Sequence, residues 1–359
     1  MTQPPIQIAG SIVILIMLLA ISVLFYIVAY RGFKERNYYS GISTICSAFI
    51  LTFFALYELI FHLFPWPYGA FFIIASILLT LIQIIPFIIK KLIWKNHPEK
   101  EVQPLHTPEK KKVISLREEI IRKSFHLVGI LVPIGYYWAF PFINKIIIQI
   151  ITSSKGLPLY ERLWGEISTY PYFLNDLSTS GEFIYFTLWS GLIFMIVVDL
   201  IRLFSKPKYT IFPRLLNSIL RAKEYKSIGP QVLLVLGAVV SFFLAKIGLY
   251  PYEVAVSASF TACLADGLVA VLGRRIGKHK VSIMGDEKSI EGFVVGFISS
   301  YLLSMIILGP FYALFVAVIF LLIDIFTIPI ADNLLNPILL SIGVWGLQLV
   351  FKIPLGWGL

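Results

Sequence analysis

The chain has 359 residues, 58% of them hydrophobic and only 14% charged, with a mean hydropathy of +0.85. An ordinary soluble domain carries about half apolar and about a quarter charged residues, so this composition excludes a soluble enzyme and describes a polytopic membrane protein. The formal charge of +10 would make nucleic acid a candidate partner of a soluble chain; here its distribution assigns it to membrane topology instead.

Crossing about 30 Å of hydrocarbon takes roughly 20 apolar residues. Such runs lie near 8–29, 41–63, 69–92, 127–151, 183–203, 229–248, 252–272, 291–309, 311–330 and 335–353, and predict an all-α integral membrane fold of ten transmembrane helices. The only breaks among the last of them are Gly309-Pro310 and Asn336-Pro337. The first run lacks a charged leader and a small-residue cleavage site, so it is expected to be a retained span rather than a signal peptide. With the N-terminus outside, segments 31–40, 90–123, 202–228 and 273–290 face the cytoplasm and hold 25 of the 30 Lys and Arg residues. That is the asymmetry the positive-inside rule requires. Lys145, Lys155, Arg162, Lys246 and Lys352 remain for the opposite face.

Residues 1–94 form a three-helix membrane bundle whose ionisable groups within a span are Glu58 and His62. The hydrophilic stretch KNHPEKEVQPLHTPEKKK follows, and 95–114 is expected to be a cytoplasmic basic linker to the main unit, 115–359. Cys46 and Cys263 both fall inside spans, where a thiol behaves as a small apolar side chain. In REEIIRKSFHLVG, Arg122, Lys123 and His126 share one helical face at the membrane boundary. The two cations have a bland reading, snorkelling to the interface; the histidine does not. In VVDLIRL, Asp199 and Arg202 stand three apart, which suits a simple pair.

Most of the chemistry lies in LADGLVAVLGRRIGKHKV, Leu264 to Val281. Asp266, Ala270, Gly273 and Gly277 recur on one helical face with Gly267 beside them, a pattern that also serves close helix packing. A carboxylate inside a span costs a few kcal/mol or more and marks a site. Just past it come Arg274, Arg275, Lys278, His279 and Lys280, cations beside glycines that let backbone N–H groups approach anionic oxygens. KSIEG, Lys288 to Gly292, then opens the next helix with Ser289 as a candidate N-cap, Glu291 in the first turn, and a helix N-terminus next to a lysine, a favourable place for phosphate. In IDIFTIPIADNLLNP, Asp332 and Asn333 reach the same depth two turns after Asp324, and supply hard oxygen ligands of the kind Mg²⁺ takes alongside phosphates. The Lys and Arg count that set the topology did not use His126, Asp266, Asp332 or Asn333, yet it places them at the cytoplasmic side. Acids for a metal, cations for phosphates and an apolar enclosure point to nucleotide-dependent chemistry on a lipid headgroup.

The segments RKSFHLVG, VVDLIRLF, RAKEYKSIG, ADGLVAVLGRRIGKHK, KSIEG and ADNLLNPI occur in an order and spacing that resembles the polyprenol kinase family, which comprises dolichol kinase, phytol kinase and CTP-dependent diacylglycerol kinases. The likeness covers about 115–340; the three leading helices lie outside it. It implies transfer of the terminal phosphate of CTP to the hydroxyl of a membrane lipid alcohol, with Mg²⁺ as cofactor. Carried over by position, it makes Asp266, Lys288 and His126 the catalytic candidates. The nucleotide site would comprise Gly267, Gly273, Arg274, Arg275, Gly277, Lys278, His279, Lys280, Lys288, Ser289, Glu291 and Gly292, and the metal would sit on Asp266, Asp332 and Asn333. Arg122, Lys123, Asp199, Arg202, Arg221 and Glu224 would support them. The general base would be a nearby carboxylate or His126. Two departures stand out: Asp324 takes the place of an upstream glutamate at a shifted offset, and Asn336 replaces an apolar residue before Pro337. The competing expectations are a CTP-dependent cytidylyltransferase making a CDP-lipid, and an anion transporter coupled through Asp266 and His126. The expected location is the cell membrane or the endoplasmic reticulum, whose topology rules are the same.

Overall fold

A computed structural model of the chain describes residues 5–61, 68–96, 120, 123–153, 155–164, 177–205, 209–211, 226–283, 286–326 and 328–357. The architecture is helical and polytopic. Eight helices among the described residues are long and apolar enough to cross a membrane, and Pro230–Lys246 is a shorter apolar helix. Helices suit this environment because every backbone N–H and C=O finds its partner within the segment.

The chain begins with α1 (Pro5–Lys34) and α2 (Tyr38–Phe61), which pack as a hairpin through a turn at Arg36. Then comes α3 (Tyr68–Asn96). The next span changes its winding on the way. It starts as a 3-10 turn (Phe125–Ile130), passes through α4 (Leu131–Ile134) and a π turn (Gly135–Ala139), and ends as α5 (Phe140–Ile151). Such departures from α geometry concentrate at functional segments. A short α6 (Gly156–Trp164) precedes α7 (Leu177–Phe204). Helix α8 (Pro230–Lys246) opens with proline at its first position, where the missing N–H is not needed. Helix α9 runs from Tyr252 to Ile276.

An all-α fold would leave the chain between α9 and the next helix as a loop. It is instead a small antiparallel hairpin, β1 (Lys280–Ile283) and β2 (Asp286–Ser289), with Lys280 opposite Ser289 and Val281 opposite Lys288. Paired in this register, the two short strands satisfy each other's backbone groups.

The following helix, α10 (Ile290–Ile325), contains the boundary expected at Gly309-Pro310. Gly309 has φ 79°, a left-handed conformation that glycine alone adopts without strain, and the next residue is a proline. Lys288, just before α10, meets Asp324, near its end, with Nζ 2.8 Å from Oδ1. A straight helix of 36 residues would hold its ends about 54 Å apart. The chain therefore doubles back at Gly309, and α10 consists of two antiparallel halves, the second returning to the end of the bundle where the first began. Helix α11 (Asp332–Phe351) closes the described chain.

Helices α9 and α11 pack on each other and both pack on α8 and on α10, α7 lies against α8, and α3 against α7. The apolar core joins the leading helices to the rest through edge-on aromatic contacts, Phe54 with Trp189 at 5.0 Å and Phe54 with Phe243 at 5.1 Å between ring centres. Such pairs add about 0.5–1.5 kcal/mol each beyond burial.

Candidate functional site

Lys123 and His126 open the irregular span three residues apart, so they share a face. Both reach Asp266 of α9. Lys123 forms an ion pair with the Asp266 carboxylate, and His126 Nε2 lies 3.0 Å from the same oxygen. The Lys123 and His126 side chains are only 7% and 12% exposed, while Asp266 keeps 28%. Gly267 makes this approach possible, because a Cβ there would stand 3.3 Å from that of His126.

The more open Asp266 borders a polar cavity of about 670 Å³ at one end of the bundle. Asp332 and Asn333 from the first turn of α11 line it, together with Lys123 and the Ser227-Ile228 and Pro230 stretch before and at the start of α8. The rest of the wall comes from Leu233, Ala331 and, on α2, Tyr39, Ser40, Ser43 and Thr44. Ser43 Oγ also accepts a hydrogen bond from the Ala331 backbone N–H at 2.9 Å, which ties α2 to the residue preceding Asp332. Asn333 Nδ2 donates to the Pro230 carbonyl at 3.4 Å.

Asp199 and Arg202 pair as expected, at 2.9 Å, and both side chains are fully buried. They do more than neutralise each other. Asp199 accepts from the Gly229 N–H, and Arg202 donates to the Ser227 carbonyl. The pair thus fixes the backbone that forms one edge of the polar cavity. Buried charges need this full set of partners to be tolerated.

A second cavity, of about 780 Å³, meets the first at Lys123, Pro230 and Asn333, residues that border both. Beyond them and His126 its wall is almost wholly apolar, built from the irregular span, α7, α8 and α9. No protein-family model, curated protein or solved structure matches the chain.

The remaining candidates lie beside the cavities rather than in their walls. Gly273 and Gly292 bring α9 and α10 together, a Cβ on Gly273 falling 3.3 Å from the Gly292 Cα. Ser289 caps α10, accepting from the Gly292 N–H at 3.1 Å, and a Cβ on Gly277 would come 2.6 Å from its Oγ. Glu291 folds back onto the other end of the hairpin, 2.7 Å from His279 Nδ1 and within hydrogen-bond reach of the His279 N–H. Arg274, Arg275, Lys278 and Lys280 are exposed. Lys288 turns to Asp324, contacting both its carboxylate and its carbonyl. Arg122, Arg221 and Glu224 lie outside the described residues.

The donors around the polar cavity suit a hard cation. No three His, Cys, Asp or Glu side chains gather as a metal cage among the described residues. Mg²⁺ bound with phosphates does not need one: one or two carboxylates suffice, the other ligands being phosphate oxygens and water. Asp266, Asp332 and Asn333 fit that pattern.

Two groups of residues were not anticipated. The hydroxyls of α2 belong to one of the three leading helices, and the signal available for them was the spacing of Ser40, Ser43, Thr44 and Ser47 on one helical face. At the other end of the bundle, Glu182 binds Lys246 and accepts from Tyr252 Oη at 2.7 Å, and Tyr136 Oη donates to Glu253 at 2.9 Å. These pairs join α7, α8, α9 and the π turn.

Proposed function

We propose that the protein is a CTP-dependent lipid kinase that phosphorylates a membrane lipid alcohol of the dolichol, prenol or diacylglycerol type. The observation that carries this reading is the meeting of a polar cavity bearing Asp266, Lys123, Asp332 and Asn333 with an apolar cavity in the membrane-spanning part of the fold. A phosphate donor and a greasy acceptor need such a boundary. The accompanying topology has ten crossings with the N-terminus outside and the polar cavity facing the cytoplasm; the reversal of α10 at Gly309 supports counting it as two.

In the reaction the lipid oxygen forms a bond to the terminal phosphorus of CTP as the bond to the bridging oxygen breaks. CDP leaves, and the hydroxyl proton passes to a base. Phosphoryl transfer relies on in-line positioning and on neutralising the phosphate oxygens more than on covalent catalysis. His126 suits the base: Asp266 holds it from the Nε2 side, and Nδ1 has no hydrogen-bond partner among the described residues. Lys123 is the buried cation nearest the reacting phosphate and balances charge there. Mg²⁺, held by Asp332 and Asn333 with Asp266, would supply neutralisation of the phosphate oxygens. The exposed Arg274, Arg275, Lys278 and Lys280 attract the anionic nucleotide, Lys288 adds its charge to theirs, and Ser289, Glu291 and Gly292 give the loop beneath it a fixed shape.

Purified protein in lipid nanodiscs, supplied with a panel of lipid alcohols and CTP labelled at either the γ- or the α-phosphate, tests the reading. Label in the lipid from the γ-position, lost on chelation of Mg²⁺, is the expected result. Label from the α-position would make the protein a cytidylyltransferase, and no label from either would reject both.

A further inference from the structure

We propose that the apolar cavity between α7, α8, α9 and the 3-10 turn is the seat of the acceptor's hydrocarbon chain, with its hydroxyl at the junction of Lys123, His126 and Asn333. This assignment rests on the kinase reading and makes it specific, because it says which of the many lipid-facing surfaces admits the substrate.

The cavity is amphiphilic in one direction. Its polar end is the set of residues it shares with the first cavity, Lys123, Pro230 and Asn333, with His126 beside them. Away from that end the wall is Val132, Leu188, Met195, Val235, Ala238 and Cys263. Two helices give the same depth independently. Ala238 stands eight residues beyond Pro230 on α8, about 12 Å along the axis, and Ser259 stands seven residues from Asp266 on α9, about 10 Å. A molecule with one polar end and an extended apolar body matches this shape. A nucleotide, a sugar or a free anion does not.

Three polar side chains in the wall carry buried atoms without a hydrogen-bond partner: His126, Gln231 through Oε1 and Ser259 through Oγ. Two of them, His126 and Gln231, adjoin residues that border the polar cavity. Buried polar atoms of this kind are costly unless something completes them, and a hydroxyl, which both donates and accepts, completes an acceptor such as Gln231 Oε1 or a histidine nitrogen.

The cavity also has a lateral way in. Val128 lines it and is 53% exposed, and its neighbours Leu127 and Leu131 are exposed as well. All three belong to the 3-10 turn and α4, the part of this span without continuous α winding. A chain lying in the bilayer reaches the cavity past Val128 without leaving apolar surroundings, and the rest of a long acceptor stays in the membrane.

The test uses a farnesol analogue carrying a photoactivatable diazirine on its terminal isoprene unit, with the full chain in nanodiscs. Illumination should attach it to peptides holding Val128–Val132 and Leu234–Ala238. Filling the cavity by Ala238→Trp should reduce this labelling at least tenfold and reduce kcat/KM for the long alcohol by a similar factor, while binding of a fluorescent CTP analogue stays within twofold. Val132→Trp fills the same space from α4 and should act alike; it serves if Ala238→Trp fails to give a monodisperse protein. Adducts spread over the outer faces of α1 and α3, or cavity labelling that neither variant reduces, would overturn the assignment. Cavity labelling in a protein that phosphorylates no alcohol would uphold a lipid-alcohol site here and reject the kinase reading alone.

Discussion

Lys123 and Asp266 are 143 residues apart in sequence and form an ion pair that is covered on the lysine side and open to a cavity on the aspartate side. The asymmetry is what a working site requires. The lysine holds the carboxylate in place, and the exposed edge of the carboxylate stays available to a ligand.

Replacing Asp266 by Ala should abolish phosphate transfer and leave the protein in the membrane. It also strands Lys123 as a buried charge, at a cost of about 1–4 kcal/mol given the partial exposure of its partner. The double variant Lys123→Met with Asp266→Leu should recover most of that stability, read as thermal unfolding in nanodiscs, and none of the activity. Retained turnover in Asp266→Ala would remove this residue from the mechanism.

The Asp199–Arg202 pair predicts a different signature. Arg202→Leu leaves a fully buried carboxylate and the Ser227 carbonyl without the guanidinium, so stability should fall by about 3–5 kcal/mol. Because the same pair fixes 227–229 beside Pro230, any Arg202→Lys protein that folds should show reduced turnover. Arg202→Lys with full activity would show that the backbone there holds its place without the forked contact.

For Lys288 and Asp324, each only about a fifth exposed, removing one partner leaves the other largely covered and unpaired, at a cost of about 1–3 kcal/mol. Asp324→Ala should therefore unfold at a measurably lower temperature than the parent. Exchanging the charges, Lys288→Asp with Asp324→Lys, should keep the two ends of α10 together and still lower nucleotide affinity at least tenfold, as measured by equilibrium binding of labelled CTP. Unchanged affinity would give Lys288 a purely architectural role.

Ser43 belongs to the three leading helices, ahead of the stretch that carries the other proposed site residues, and so makes a sharp test of whether α2 belongs to the site. Ser43→Ala leaves the buried Ala331 N–H without its acceptor, a loss of about 1–3 kcal/mol. Ser43→Leu fills part of the polar cavity and should raise KM for CTP tenfold or more with little change in the far-ultraviolet spectrum. An unaltered KM would place the nucleotide away from α2.

Gly273→Leu should separate α9 from α10. Overpacking of this kind costs about 1–3 kcal/mol, and because the β1–β2 hairpin hangs between those helices, nucleotide affinity should fall with it. Gly273→Ala, needing only a few tenths of an ångström of adjustment against Gly292, should be far milder; equal effects would argue against close packing as the reason for glycine.

Composition and hydropathy were enough to give the class of the protein, a helical, polytopic membrane protein. Hydropathy is a local property, readable span by span, because the bilayer judges each helix on its own residues. Helical spacing is also local, which is why Lys123 with His126, Asp199 with Arg202, and Ser289 with Gly292 were all legible. Which partner each group meets across the bundle is a matter of packing: Asp266 takes Lys123, whereas Lys288 turns to Asp324 because α10 doubles back at Gly309. The tertiary structure also brought the α2 hydroxyls to the wall of the polar cavity and opened an apolar cavity at Pro230 and Asn333. Those outcomes depend on how helices far apart in the chain pack and on which way each side chain points from its helix, and neither is encoded in the period or composition of any single segment.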